Sequence, residues 1–397
     1  MDHYMSADRS RRRLTTTLMG LFVLLALALS VADLGRDIGP RSHTATMRKS
    51  AGISTRSSSF IASIDTMKES KDTEDHPLTD EQIADDVNLA ASLSPTYITV
   101  DTHYDYDVYM ARWVHAIRAT GDHVWFRPGF LGWGMGNGRM MTPAMYLDKL
   151  HTFILHHPSL FRPGDIFDAD AEPENGKYWS AKYGPHWSWQ PSAPNAATAE
   201  FNAFLLALTH TADQAFHQLG IRGVITTVHS TSPWWAEHPE ALYPSTVEHM
   251  GNLITIDAYP DANTTDPHAA AAAWTHLLTT IHEVRPHVRL LIGELGYSNN
   301  LPVNDRTQQR VLTATLKALS STPCLVGLNY WVGAGTDSSG GYTHIFTGTA
   351  GAWSPRPAAF VLSAFFAKEQ NTPHALLSTA TRSGSPRPPA SSGPLRP

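Results

Sequence analysis

The 397-residue chain has a single cysteine, Cys324, so no internal disulfide can form and the fold must rest on its core. Cys324 precedes the apolar run Leu325-Val326-Gly327-Leu328, which reads as a small buried hydrophobe and not a nucleophile. Charge is also scarce. Charged residues make up 17% of the chain, and the formal net charge is -6. No basic stripe is present to neutralise phosphates, so nucleic acid is not an expected partner. No Gly-rich turn follows the first strand signal, which argues against a doubly wound nucleotide-binding sheet. The 21 histidines contain no His-Glu-x-x-His or similar close-spaced ligand set. His156 and His157 are adjacent, so they diverge on a helix. His103 and His229 fall on different strands. Neither a catalytic metal nor another cofactor is expected.

Only one apolar run is long. Leu14 to Ala32 carries no charge and follows Arg9, Arg11, Arg12 and Arg13. A bilayer span needs about 20 apolar residues. The arginines would stay in the cytoplasm, leaving the rest outside. A cleaved signal peptide competes with this anchor, because Ala28-Leu29-Ser30 and Ser30-Val31-Ala32 offer small residues at suitable spacing. Either reading puts the large domain on the extracellular face of the plasma membrane or secretes it. Residues 33–59 are polar and read as a linker. Residues 372–397 are rich in Ser and Pro and read as a disordered tail.

Between them, residues 60–371 alternate short β-branched or aromatic runs with longer amphipathic ones. Strands are expected at 60–64, 97–101, 123–127, 165–171, 223–228, 253–259, 289–294 and 325–331. Helical sequence follows each. One helix opens near Thr79, and others cover 108–119, 197–219, 305–319 and 358–367. Thr142 reads as an N-cap with Pro143 at the first helical position, and Asp266-Pro267 opens another helix. The weakest helix signal lies near 245–250, after the fifth strand. Eight strand–helix units predict an α/β fold, a single (β/α)8 barrel, a class that commonly runs to roughly 250 residues or more.

Active sites of such barrels sit at the C-terminal strand ends. Those ends are unusually polar here. They carry Asp65, Asp101 and His103, Arg127, Asp170 and Glu172, His229, Asp257 and Tyr259, Glu294, and Asn329 with Trp331. Glu172 and Glu294, on strands four and seven, face each other across the mouth. Two opposed carboxyl groups are what glycoside hydrolysis needs, one to protonate the leaving oxygen and one to attack the anomeric carbon. Glu174 and Asp170 compete with Glu172 for the acid role. Strand alternation places Ile292 and Leu290 in the layers beneath Glu294, and Asp170 and Asp168 on the side of Glu172. Arg127 can hold a carboxylate ionised, either Glu294 or Asp170. Trp133, Trp179, Trp187 and Trp189 fall in long loops, where they serve as sugar platforms or as packing anchors.

The order of these motifs resembles the large clan of (β/α)8 retaining glycosidases that includes many endoglucanases and mannanases. The resembling segments are Ala171-Glu172-Pro173-Glu174, Asp257-Ala258-Tyr259-Pro260, Ile292-Gly293-Glu294-Leu295-Gly296 and Tyr330-Trp331. The resemblance spans roughly residues 60–367. It implies Glu172 as acid/base and Glu294 as nucleophile, with Tyr259 donating to Glu294 and Trp331 flooring a sugar subsite. It implies an oligo- or polysaccharide substrate. The clan's Asn before the acid/base is replaced by Ala171, although Asn175 follows closely. That departure keeps a second reading open, a carbohydrate-binding protein on a glycosidase scaffold without turnover. Another chemistry on the same barrel is a third, because fold does not fix function.

Overall fold

The computed structural model describes residues 60–134, 140–184, 187, 195–230, 233–261, 264–298, 304–322, 324–335 and 343–372. The expected N-terminal anchor or signal segment, the linker 33–59, and the tail beyond Thr372 lie outside the described residues, as does Trp189. Among the described residues no helix is long and apolar enough to cross a membrane.

Eight strands pair in sequence order, all parallel, and close into a barrel. They are β1 (Ile61–Asp65), β2 (Tyr97–Val100), β3 (His123–Phe126), β4 (Ile166–Ala171), β5 (Ile225–Ser230), β6 (Leu253–Asp257), β7 (Arg289–Leu295) and β8 (Leu325–Tyr330). Each strand lies within one or two residues of its sequence expectation. In chain order the helices are α1 (Met67–Ser70), α2 (Asp80–Ser92), α3 (Asp107–Thr120), α4 (Pro143–His156), α5 (Lys177–Tyr183), α6 (Ala196–Gln218), α7 (Pro233–Glu237), α8 (Pro244–His249), α9 (Pro267–Val284), α10 (Asp305–Leu319) and α11 (Pro357–Glu369). The weak signal after the fifth strand is α8. Other helices start on local chemistry that is readable in the sequence. Thr79 caps α2 in a reciprocal pair with Gln82, and Thr142 accepts from the Met145 amide above Pro143.

Side chains alternate between two environments. Ile61, Tyr97, Trp125, Ile166, Leu253, Leu291 and Val326 form one compact apolar layer inside the barrel. Residues two further along β1, β2 and β6 are polar. Ser63 bonds Thr99 at 2.7 Å, Thr99 donates to Asn329 at 2.9 Å, and Thr227 bonds Thr255 at 2.9 Å. The barrel is thus apolar at one end and hydrogen-bonded toward its C-terminal mouth. Leu290 and Ile292 belong instead to the outer cluster shared with the helices. The expectation that they fill layers beneath Glu294 is therefore corrected. Leu291 fills the barrel, and a bulge then restores Glu294 to the mouth. The register shows it, with Ile292 opposite Ile256 and Glu294 opposite Asp257, so Gly293 is the extra residue.

Behind the mouth, Glu69 on α1 and Asp86 on α2 are both buried. Burial, reinforced by Asp86, pushes the Glu69 carboxyl up to about 8. Burial likewise lifts Asp86 to about 7, against the pull of the Gly351 amide and the Trp353 indole. The folded chain therefore keeps protons that the unfolded chain releases above about pH 4. Stability from this pair is fully present below that pH and falls as pH rises toward 8. Glu69→Gln is expected to stabilise the fold at pH 8, by up to about 4 kcal/mol, with little change at pH 5. Urea unfolding at the two pH values checks this, and an equal pH dependence in parent and variant would refute it.

Candidate active site

The bulge in β7 builds the first half of the site. A Cβ on Gly293 would lie 2.5 Å from the Asp257 carboxylate, so a larger residue here would displace that side chain. The Gly293 carbonyl accepts from Arg127 Nη1 at 3.0 Å and from Asn329 Nδ2 at 2.9 Å. These bonds lock the bulge that aims Glu294. Glu294 Oε1 accepts from Arg127 Nη2 at 2.8 Å, and its Oε2 accepts from the Tyr259 hydroxyl at 2.6 Å. Arg127 also donates to Asp65 at 2.8 Å and reaches Asp257 at 3.3 Å. Of the two partners the sequence left open for Arg127, the structure gives Glu294. Burial alone would pull the guanidinium down, but Asp257, Glu294, Asp101 and Asp65 more than reverse it, so it stays charged. Burial first, and Glu294 second, hold the Tyr259 hydroxyl well above its usual range, so it acts as a donor.

The second half stands at the end of β4. Here too the register slips, because Asp168 faces Thr227 while Ala171 faces His229. Asp168 sits deeper in the barrel, accepting from the Trp125 indole at 3.0 Å. Simple alternation therefore does not carry Asp168, Asp170 and Glu172 on one side. Glu172 adopts φ 64° and ψ 53°, a left-handed conformation that costs a non-glycine residue about 1 kcal/mol or more. Pro173 disfavours the right-handed alternative for it. A tight turn over Pro173–Asn175 holds the strained residue, with the Asn175 amide donating to the Glu172 carbonyl at 2.9 Å. Asn175 Nδ2 also donates to Glu172 Oε2 at 2.9 Å. One carboxylate oxygen from each of Glu172, Asp257 and Glu294 lies within 4.8 Å of the others.

Glu172 and Glu294 share a cavity of about 350 Å3 with Arg127, Asp170, Ala171, Asn175 and Trp133. Asp170 is buried near the Tyr104 and Tyr146 hydroxyls, which burial and its charge keep protonated. Glu174 does not join them. It lines a separate small cleft with Phe201, Leu205 and Trp235. His229 lies on β5, but its side chain is outside the described residues. Trp331 does not line this cavity. It packs edge-on to Tyr259 at 6.0 Å and donates to Met67 Sδ, with the Lys68 ammonium 5.6 Å from its ring centre.

Among the described loop tryptophans, Trp179 and Trp187 pack together, while Trp133 packs on Trp179 and also lines the cavity. Trp133, Trp179 and Trp187 are buried, with Trp179 6.2 Å from Trp133 and 5.3 Å from Trp187. Trp179 donates its indole N–H to the Pro173 carbonyl at 2.8 Å, so the cluster braces the Glu172 turn. Sequence reasoning missed Lys71, Met67 and Leu131 in the cavity wall, and Glu74 behind His103. Met67 opens the one-turn helix α1 and the others lie in loops or turns, where no periodicity marks a residue.

No family model and no curated relative matches the sequence. Solved structures do resemble the fold. A GH5_18 protein from Streptomyces cattleya in complex with GlcNAc is 13% identical, covering 80% of this chain and 82% of that one with a TM-score of 0.59. A GH5_18 variant from Bifidobacterium longum in complex with Manb1-4GlcNAc is 14% identical over 79% of each chain, again at 0.59. The endo-beta-1,4-glucanase Xac0029 from Xanthomonas axonopodis is 11% identical, covering 79% of this chain and 100% of that one at 0.53. The likeness establishes a (β/α)8 barrel of the architecture those glycoside hydrolases use.

Proposed function

We propose that the protein is a glycoside hydrolase that cleaves O-glycosidic bonds with retention, Glu294 attacking the anomeric carbon and Glu172 serving as acid and then base. The observation that carries this reading is that one carboxylate oxygen of Glu172 lies within 4.8 Å of one of Glu294, a nearest approach that favours the shorter of two known spacings. Retaining enzymes set the two groups about 5–5.5 Å apart, whereas inverting ones leave about 6.5–9.5 Å for a water. The local partners also divide the roles. Glu294 faces the fixed cation of Arg127 and the Tyr259 hydroxyl, which suits a carboxylate that must be charged to attack. Glu172 has a neutral amide for company and stands at the cavity wall, where a leaving oxygen can meet it. The sugars in the GH5_18 complexes favour a carbohydrate substrate here. Export through the N-terminal apolar segment belongs to the same proposal and would give the enzyme access to polymeric glycans.

The test is hydrolysis of a glycan and aryl β-glycoside panel with the product anomer read by NMR at early times. The β-anomer is expected first. An α-anomer first product would replace retention with inversion. The second reading, binding without turnover, draws on Ala171 in the cavity wall beside Glu172. It takes precedence if the protein binds a glycan of the panel and releases no product from it.

A further inference from the structure

The cavity extends away from the carboxylate pair to a wall that the two-carboxylate chemistry does not use. Asp101 stands there at the end of β2, 3% exposed. Its backbone is fixed, since the Asp101 amide donates to Ser70 Oγ at 3.2 Å and the Thr102 hydroxyl to the Ser70 carbonyl at 2.6 Å. Yet Asp101 Oδ2 is buried with no hydrogen-bond partner among the described residues. A buried polar oxygen in that state is costly. Lys71, also in the cavity wall, makes no side-chain hydrogen bond or ion pair among the described residues. His103 completes the wall. Glu74 accepts from its backbone amide and meets its Nδ1 at 2.7 Å, which fixes the ring and leaves Nε2 available.

We propose that Lys71, Asp101 and His103 form a sugar-anchoring subsite that binds adjacent hydroxyls of the ring whose anomeric carbon lies between Glu172 and Glu294. The inference rests on the glycosidase reading and adds the residues that choose the sugar. A carboxyl accepts from one hydroxyl, an ammonium donates to the next oxygen, and an imidazole takes either role. That set complements a diol. It does not suit an anion, because Asp101, Asp170, Glu172 and Glu294 line the same cavity. It does not suit an apolar group, which would leave Asp101 Oδ2 and Lys71 unpaired. The wall and the attacking residue line the same cavity. Burial first, then Asp65, and more weakly Glu294, raise the Asp101 carboxyl above its usual range, while Arg127 and Lys71 oppose the rise. A ring attacked by Glu294 therefore has its hydroxyls within reach of this wall.

The probes are the 4-nitrophenyl β-glycosides of glucose, mannose, galactose and N-acetylglucosamine, with monodeoxy versions of whichever is preferred. Hydrolysis is followed with the parent, and binding by calorimetry with Glu294→Ala. Asp101→Asn and Lys71→Met are each expected to lower kcat/KM for the preferred glycoside about 10- to 100-fold, the size of a lost charged hydrogen bond. One monodeoxy glycoside should lose as much with the parent and lose nothing further with the variant. A merely structural role would instead depress all substrates alike and lower the unfolding midpoint. If the parent hydrolyses a glycoside and both variants match it within about twofold, this inference fails and the glycosidase reading stands. If the parent turns over none of them and Glu294→Ala binds none, this inference fails, and the glycosidase reading falls with it only if the glycan panel also yields no product.

Discussion

Replacing Glu294 with Gln is expected to lower kcat by about 10^4-fold or more, and Glu172→Gln by about 10^2- to 10^4-fold on a substrate with a poor leaving group. The two losses differ in kind. Without Glu294 no glycosyl–enzyme ester can form. Without Glu172 an activated aryl glycoside still forms the ester, because a nitrophenolate leaves unassisted, but water then lacks its base. Azide needs no base. It should therefore restore turnover to Glu172→Ala by displacing the Glu294 carboxylate, giving the β-glycosyl azide. With Glu294→Gly, azide attacks the opened face directly and gives the α-glycosyl azide. Product NMR distinguishes them, and the same azide from both variants would sink the role assignment. Glu174→Gln serves as the control. Glu174 lines a cleft apart from the catalytic cavity, so its loss should change kcat less than about tenfold. A loss equal to that of Glu172→Gln would return Glu174 to candidacy.

The strands were readable because each is a short β-branched or aromatic run, and several helices because Thr79, Thr142 and Asp266 are capping residues in open view. The candidate pair was readable because barrels place chemistry at strand ends. What stayed hidden depends on neighbours distant in sequence. Gly293 is the extra residue in the register with β6, and the Asp257 carboxylate that sits where its Cβ would be lies on another strand. No pattern within the seventh strand announces this, so alternation put Leu290 and Ile292 on the wrong face. The tryptophans stayed ambiguous for a related reason. Trp133 and Trp179 are as suited to a sugar as to each other. Only the placement of Trp179 against the Pro173 carbonyl shows which role it fills. Glu174 was a rival on spacing alone, and the left-handed turn at Glu172 is what separates the two carboxylates.

Arg127 is where the fold and the site depend on the same atoms, and its loss is expected to be the most damaging to stability. One buried guanidinium bonds Asp65, Glu294 and the Gly293 carbonyl, and reaches Asp257 at 3.3 Å and Asp168 at 3.8 Å. Removing it leaves several buried carboxylates facing one another without a cation. Arg127→Met should cost about 3–5 kcal/mol, much of the margin of a typical domain. Urea unfolding at pH 7 reads this directly. The cause carries its own signature. Acid supplies protons that neutralise the orphaned carboxylates, so the gap between Arg127→Met and the parent should narrow from pH 7 to pH 4. A simple packing defect would give a gap independent of pH. Arg127→Lys keeps the charge but loses the planar fork that spans Asp65, Gly293 and Glu294 at once. It should fold at a smaller cost and still lose about 100-fold in kcat, because Glu294 is no longer held against Tyr259. Near-parental turnover in Arg127→Lys would mean that charge alone, and not the fork, positions the nucleophile.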